Sequence, residues 1–366
     1  MKMMWMFLFM ILPIVALVYI GWHVWVLLPL SWVWKAVILI VGLACFSLLF
    51  LSIGRKLESL PLAVAQWGYE ICTSSIIVLL YLAMLFLVLD LGRLCRLVPA
   101  SLLHHNGAMA LGIVVVMVGL FVYGNLHYRH KVRVPMELKA PVPLPKTYKA
   151  VMASDLHLGY HNPRKELARW VDLMNAEHPD FILIAGDIID GSMRPLTEEA
   201  MAEEFHRLQA PVYACLGNHE YFSGSPAARQ FYQDAGIRLL VDEKVVVDSA
   251  LVIIGRDDRS NPHRQSLAAL VGDDKSRDYY TIVLDHQPYH LDRSEAAGVD
   301  FQLSGHSHRG QIWPITWITD HIYECSWGEC QRGKTRFYVS SGLGIWGGKY
   351  RIGSQSEYVT ATIEGK

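Results

Sequence analysis

A chain of 366 residues is long enough for one large domain plus a further element, and 52% hydrophobic content with a positive mean hydropathy is high for a purely soluble enzyme. The formal net charge of −1 gives no electrostatic ground for a nucleic-acid partner, so none is expected. The apolar excess is concentrated in residues 1 to about 126, which hold almost no charge, and the remainder has the charge and alternation of a globular domain.

In chain order, four apolar stretches at about 4–22, 33–53, 71–91 and 108–126 have the roughly 20 residues needed to cross a hydrocarbon core of about 30 Å. Trp22, Trp25, Trp32 and Trp34 flank the first connection, and Trp67 and Tyr69 precede the third span, the interfacial positions that aromatic rings favour. The first stretch lacks a small-residue cleavage site and three more follow it, so it reads as a retained helix. An even number of spans puts Lys2, Arg55, Lys56, Arg129, Lys131 and Arg133 on one side, against Lys35, Arg93 and Arg96 on the other. The positive-inside bias then expects the soluble domain in the cytoplasm, and one span more or less would reverse that answer. Asp90, with Arg93 three residues on, reads as a local interfacial pair, and no Gly- or Pro-broken pair of helices suggests a transport path. A transmembrane region over 1–130 is thus expected to serve mainly as an anchor. It is followed by a linker at 131–147 stiffened by Pro141, Pro143 and Pro145, and by a soluble domain over 148–366.

From residue 148 strands and helices alternate. Strands are predicted at 148–154, 181–185, 212–216, 245–247, 251–254, 281–284, 301–303, 337–339 and 358–363, with helices at 164–176, 198–208 and 226–235. This is an α/β pattern with a sheet covered on both faces.

The polar exceptions fall at strand ends: Asp155-Leu156-His157, Gly186-Asp187, Gly217-Asn218-His219-Glu220, Asp285-His286 and Gly305-His306-Ser307-His308. Ligand crevices of open α/β sheets form at the carboxyl ends of strands, so five such tips converge on one crevice. In an extended segment residues i and i+2 face the same way, which would let Asp155 and His157 grip one ion. Imidazole and carboxylate donors suit borderline divalent metals such as Mn, Fe or Zn, and a carboxylate can bridge two ions, a place that suits Asp187. Glycines before Asp187, Asn218 and His306 would hold the backbone close to the metals. One motif alone would be weak; five in succession, each after an apolar strand, are not.

The blocks DLH at 155–157, GDIID at 186–190, GNHE at 217–220, His286 and GHSH at 305–308 resemble those of the calcineurin-like metallophosphoesterases, in the same order, over about 148–364. DHQP at 285–288, GHSHRGQ at 305–311 and SGLGIWG at 341–347 look most like the bacterial membrane-associated branch related to YkuE and YaeI. The resemblance implies a four-layer β-sandwich flanked by helices. It also implies two divalent cations, with Mn favoured. Asp155, His157 and His308 would hold the first cation, Asn218, His286 and His306 the second, and Asp187 would bridge. His219 would act as general acid with Asp190 orienting its ring, and a hydroxide held between the cations would attack phosphorus in line. Arg309 is a further candidate phosphate contact.

Several residues carry a plainer expectation. His161 reads as a solvated loop residue and His290 as a helix-face residue. Arg256, Asp257, Asp258 and Arg259 read equally as phosphate contacts or as a mutually paired surface turn. Cys325 and Cys330 read as unpaired thiols ahead of a bridge. Trp313, Trp317 and Trp327 fit a lipid-facing lip or a covered extension of the core. The expected function is a phosphatase, phosphodiesterase or pyrophosphatase of a bacterial inner membrane, acting on a phosphorylated, lipid-linked substrate such as a UDP-diacylglucosamine-type precursor or an isoprenoid phosphate. The rivals are a metal-dependent ligand-binding or wall-binding protein with little turnover, and a transporter with an appended hydrolase.

Overall fold

The computed structural model describes residues 2–53, 56–272 and 279–366. The chain divides into two compact units, Met1–Gly124 and Asn125–Lys366.

The first unit is built from α1 (Lys2–Leu27), α2 (Trp32–Ile53), α3 (Leu62–Leu94) and most of α4 (Gly107–Arg129). Among the described residues three helical segments, Trp32–Ser52, Leu62–Leu94 and Gly107–Arg129, are long and apolar enough to cross a membrane, and Ile11–Leu27 of α1 is a shorter apolar segment. Four helices are present, and within the residues whose side chains are described only three count as spans, so the parity behind the cytoplasmic expectation is not established. Lys2 and Arg55, which entered that count, lie outside the residues whose side chains are described. Helix α3 starts at Leu62 rather than near 71, which puts Trp67 and Tyr69 inside it. Asp90 does not turn to Arg93 as expected. It accepts hydrogen bonds from the Tyr19 hydroxyl (2.8 Å) and from His23 Nε2 (2.9 Å), tying α3 to α1 by polar contacts of the kind that join helices where hydrophobic packing gives no preference over lipid.

The second unit contains β1 (Lys131–Lys139), β2 (Tyr148–Ala153), β3 (Phe181–Ala185), β4 (Val212–Cys215), β5 (Arg238–Leu239) and β6 (Glu243–Val247). The remaining strands are β7 (Leu251–Gly255), β8 (Tyr280–Leu284), β9 (Phe301–Ser304), β10 (Gly328–Arg332), β11 (Thr335–Val339) and β12 (Ser356–Glu364). Its helices are α5 (Arg164–Ala176), α6 (Arg194–Glu198), α7 (Ala202–Phe205), α8 (Asn218–Ser223), α9 (Ser225–Asp234), α10 (Leu267–Val271), α11 (Leu291–Ala297) and α12 (Ile315–Ile322). One sheet has the order β1-β12-β2-β3-β4-β5 and the other β10-β11-β9-β8-β7-β6.

Strand residues alternate between two interiors. Ala150 and Met152 of β2 join Leu183, Ile253, Ile282 and Leu303 in the core between the sheets. Val151 and Ala153 turn the other way and pack, with Ile182 and Ile184, against Leu167, Trp170, Val171 and Met174 of α5. Beyond the second sheet, Val252, Ile254 and Val283 meet Leu267, Leu270 and Ala297. The result is helix, sheet, sheet, helix, the expected four layers. Strands covered on both faces read as unbroken apolar runs, as FILIA and LVIIG do.

Two expectations need correction. Residues 131–139, read as linker, form β1, which pairs in parallel with β12 over Lys131–Lys139 and Ser356–Glu364. As the outermost strand it tolerates Pro135. The single helix expected at 198–208 is two short ones, α6 and α7.

Cys325 and Cys330 are bonded as a disulfide, against the expectation of free thiols, and Cys45, Cys72, Cys95 and Cys215 are free. The bridge closes a tight loop ahead of and into β10, a pairing that sequence spacing alone does not specify. Alkylation of the denatured protein should therefore modify four thiols before reduction and all six cysteines after it, read by intact mass. Six adducts without reductant would show that the bridge does not form.

Candidate metal centre

The parallel neighbours β2, β3 and β4 end side by side in one sheet, and β8 and β9 end together in the other. Asp155, Asp187, Asn218, His286 and His306 each follow one of these ends within three residues. Alternation along an extended segment is not what aims them. Asp155 (φ 53°), His157 (46°), Asp187 (50°), His306 (68°) and His308 (48°) all lie in the left-handed region, uncommon for residues with a side chain and concentrated at functional sites. Backbone bonds hold these turns: His157 N donates to Asp187 O (3.0 Å), Leu158 N to Ile188 O (2.8 Å) and Asp155 N to Gly186 O (3.1 Å). Glycine at 217 and 305 is required by space. A Cβ on Gly217 would sit 2.1 Å from Asp187 Oδ1, and one on Gly305 2.3 Å from Asp155 Oδ2.

The side chains converge. His157 and His308 bring their Nε2 atoms to 3.0 Å of each other, and His308 Nε2 is 3.4 Å from Asp155 Oδ1. His286 Nε2 is 3.0 Å from Asp187 Oδ2, and His157 Nε2 is 3.7 Å from the same oxygen. Three clusters of donors result, each within 4.8 Å: Asp155-His157-His308, Asp187-His286-His306 and His157-Asp187-His219. Asp187 is common to two of them. The donor set fits divalent cations by its chemistry of imidazole, carboxylate and amide oxygen. The Oδ1 of Asn218 fits as well, being buried with no hydrogen-bond partner. His286 donates from Nδ1 to Ala185 O (2.8 Å), which fixes the tautomer and leaves Nε2 turned to Asp187.

Burial opposes charge on His157, but Asp155 and Asp190 beside it push its pKa up to about 10. His306 goes the other way: burial, reinforced by His286, lowers it to about 4, leaving a neutral imidazole at neutral pH. His219 is held above its usual value because Asp187 and Asp190 outweigh its burial. Its Nδ1 donates to the Asp190 main-chain carbonyl at 2.6 Å, while the Asp190 carboxylate lies 3.4 Å from that nitrogen and 3.3 Å from His157 Nδ1. Asp190 thus orients His219 chiefly through its backbone and braces His157 through its side chain.

Other residues differ from expectation. His161 is not solvated: it is buried, donates from Nε2 to Ile345 O (2.6 Å) and has Nδ1 3.8 Å from Asp190. Arg256, Asp257 and Asp258 are buried rather than a surface turn. Arg256 pairs with Asp285 (2.6 Å), Tyr221 donates to Asp257 (2.7 Å), and Gln287 to Asp258, a network behind His286. His290 precedes α11 in a left-handed turn instead of lying on a helix face. Arg309 lies with its guanidinium 4.0 Å from the Trp327 ring centre, and Trp327 Nε1 donates to buried Glu357. Sequence reading missed Arg351, fully buried, which donates to the carbonyls of His308 (2.8 Å), Gly344 (3.1 Å) and Ser341 (2.5 Å). It also gave no role to Glu220, whose carboxylate accepts from the amides of Gly217 (2.7 Å), Ile189 (2.9 Å) and Asp187 (3.2 Å). The signal for Glu220 was present, an acidic residue in the first turn of a helix reaching back to its start.

Two outcomes are expected. Glu220→Ala leaves three buried amides unsatisfied and should destabilise the catalytic unit by about 3 kcal/mol or more, seen as a lower urea midpoint; an unchanged midpoint would mean that water replaces the carboxylate. Below pH 10 a cation must displace the proton that Asp155 and Asp190 hold on His157, so Mn²⁺ binding should release protons and strengthen as pH rises from 6 to 9. Calorimetry in buffers of different ionisation enthalpy reads this, and proton-neutral binding would contradict it.

Comparison with known proteins accords with this geometry. The family model for calcineurin-like phosphoesterases matches residues 148–310. An uncharacterized metallophosphoesterase of Aquifex aeolicus is 34% identical over 231 residues, covering 60% of this chain and 85% of its own. YkuE of Bacillus subtilis, an uncharacterized metallophosphoesterase, is 28% identical over 232 residues, covering 59% of this chain and 79% of its own. A Bos taurus transmembrane protein with metallophosphoesterase domain is 30% identical over 243 residues, 61% of this chain, which spans about half (54%) of that protein. By its matched motifs, its donor clusters at the strand tips and these relatives, the chain belongs to the calcineurin-like metallophosphoesterase family.

Proposed function

We propose that this protein is a membrane-anchored phosphoester hydrolase that works with two divalent cations on a lipid-linked phosphate or pyrophosphate. The observation that carries the reading is that Asp187 Oδ2 lies 3.0 Å from His286 Nε2 and 3.7 Å from His157 Nε2, one imidazole from each donor set. Asp155, His157 and His308 would hold one cation, Asn218, His286 and His306 the other, with Asp187 between them. Such a pair, when bound, neutralises phosphate oxygens and lowers the pKa of water. Histidine, aspartate and asparagine donors suit Mn, Fe or Zn, and Mn²⁺ is the first to test.

The chain's own residues supply the rest. Asp187 and Asp190 hold the pKa of His219 above its usual value against its burial, and the Nδ1 bond to Asp190 O aims Nε2 away from that carbonyl, where it would give a proton to a departing oxygen. Phe222 packs against the same ring at 5.2 Å and shields it from one side. The apolar helices of the first unit support a substrate met at a membrane.

On sidedness two features oppose each other. The cation count favoured the cytoplasm of a bacterial inner membrane, but it rests on four spans. The Cys325–Cys330 bridge favours an oxidising compartment. We place the catalytic unit on the oxidising face.

Purified full-length protein, stripped by chelator and reloaded with Mn²⁺, should hydrolyse p-nitrophenyl phosphate esters or phosphatidic acid only when reloaded. Asp187→Ala should lose both bound metal, by elemental analysis, and turnover. His219→Ala should keep its metal and lose about 10²–10⁴-fold in kcat. Equal turnover by the wild type and Asp187→Ala would remove the two-cation reading.

A further inference from the structure

The segment that follows the last donor motif leaves large apolar side chains in the open. On α12, Trp317 is 65% exposed, Ile318 51% and Ile322 58%, and Trp313 just before it is 38% exposed. The same helix buries Thr316 and Thr319, an inversion of the usual arrangement in which the apolar face turns inward. Trp313 and Trp317 lie edge to face at 5.1 Å, a preformed aromatic corner. Trp346, 48% exposed, belongs to the loop after β11, and Gln311 at the start of the α12 segment donates to Gly348 O of that loop. The patch therefore draws on two chain segments fastened together, and both start from the crevice: one from His308, the other from Gly342, where a Cβ would lie 3.0 Å from that of Asp155.

What covers such a patch follows from how the catalytic unit is tethered. Helix α4 has 23 residues, about 34 Å at 1.5 Å per residue, against a hydrocarbon thickness of about 30 Å. Only His130 separates its end from β1. Asn125, in the last turns of α4, donates to Lys349 O at 3.0 Å, in the loop that carries Trp346. Lys349 in turn pairs with Glu166, which accepts from Tyr128 of α4 at 2.7 Å. The loop at the rim of the crevice is thus bonded to the turn of α4 that a bilayer-spanning helix of this length places at the headgroups. Tryptophan favours that layer, and isoleucine the acyl region beneath it.

We infer that Trp313, Trp317, Ile318, Ile322 and Trp346 form a bilayer-docking rim, through which the crevice takes its substrate from the lipid phase and not from water. This rests on the hydrolase reading only in its second clause; the docking itself stands apart from turnover.

The test separates the two. In the full chain, reconstituted in vesicles of phosphatidylethanolamine and phosphatidylglycerol, Ile318→p-benzoylphenylalanine should cross-link to phospholipid on irradiation. Ser249→p-benzoylphenylalanine should not, because that position lies in the β6–β7 turn, at the opposite end of the sheets from the donors. Cross-linking at 318 to a second copy or to another protein, or equal lipid adducts at both positions, would overturn the docking. For the second clause, the double variant W317D/I318D should lower the ratio of kcat/KM on vesicle-borne phosphatidic acid to that on p-nitrophenyl phosphate about tenfold. An unchanged ratio would refute delivery from the lipid phase while leaving the cross-linking result to stand by itself.

Discussion

The carboxylate of Asp187 faces His286 Nε2 at 3.0 Å, accepts from the His219 amide at 2.9 Å, and leaves no room for a side chain at position 217. Its own amide is fixed by Glu220, which also fixes Gly217 and Ile189. Loops from three strands are therefore positioned relative to one buried negative charge. Desolvating a carboxylate is unfavourable unless it is paired and hydrogen-bonded, so the surrounding imidazoles are needed for folding as well as for chemistry. Removing the Asp187 carboxylate would unsettle the imidazoles from both sheets together.

Much of this was legible in the sequence because two periodicities coincide with two chemistries. Runs such as FILIA and LVIIG read as strands covered on both faces, and FILIA leads into Asp187, one of the five donor-bearing tips. The ranges of α5 and β3 followed from that pattern closely. The way Asp155 and His157 meet did not: left-handed turns, not pleating, aim them, and nothing in a DLH triplet announces φ > 0 at both flanking positions. Residues whose partners are remote in sequence were likewise misread. His161 has its partner at Ile345 and Arg256 at Asp285, and Arg351 reaches carbonyls on two loops. A charged loop and a buried ionic network have the same composition; only the tertiary fold separates them.

The same reasoning applies to the first unit. Hydropathy locates the helices, since each must satisfy its backbone internally in lipid, but it is silent on their ends and on their contacts. Asp90 illustrates this. Its nearest cation in sequence is Arg93, yet its hydrogen bonds come from Tyr19 and His23, more than sixty positions away. Stacking of His23 on Phe86 at 4.5 Å completes a small polar joint in an otherwise apolar bundle.

Strand β12 lies between β1 and β2 and is hydrogen-bonded to both. Strands β1 and β2, consecutive in sequence, are thus separated by a segment that lies more than two hundred residues later in the chain. During synthesis β1 emerges long before its partner and presents an unpaired edge, a template for mispairing. Its nine-residue ladder closes only after β12 has been made. Completion of the sheet is in this way coupled to arrival of β12, and a nascent catalytic unit remains open-edged until that strand is made.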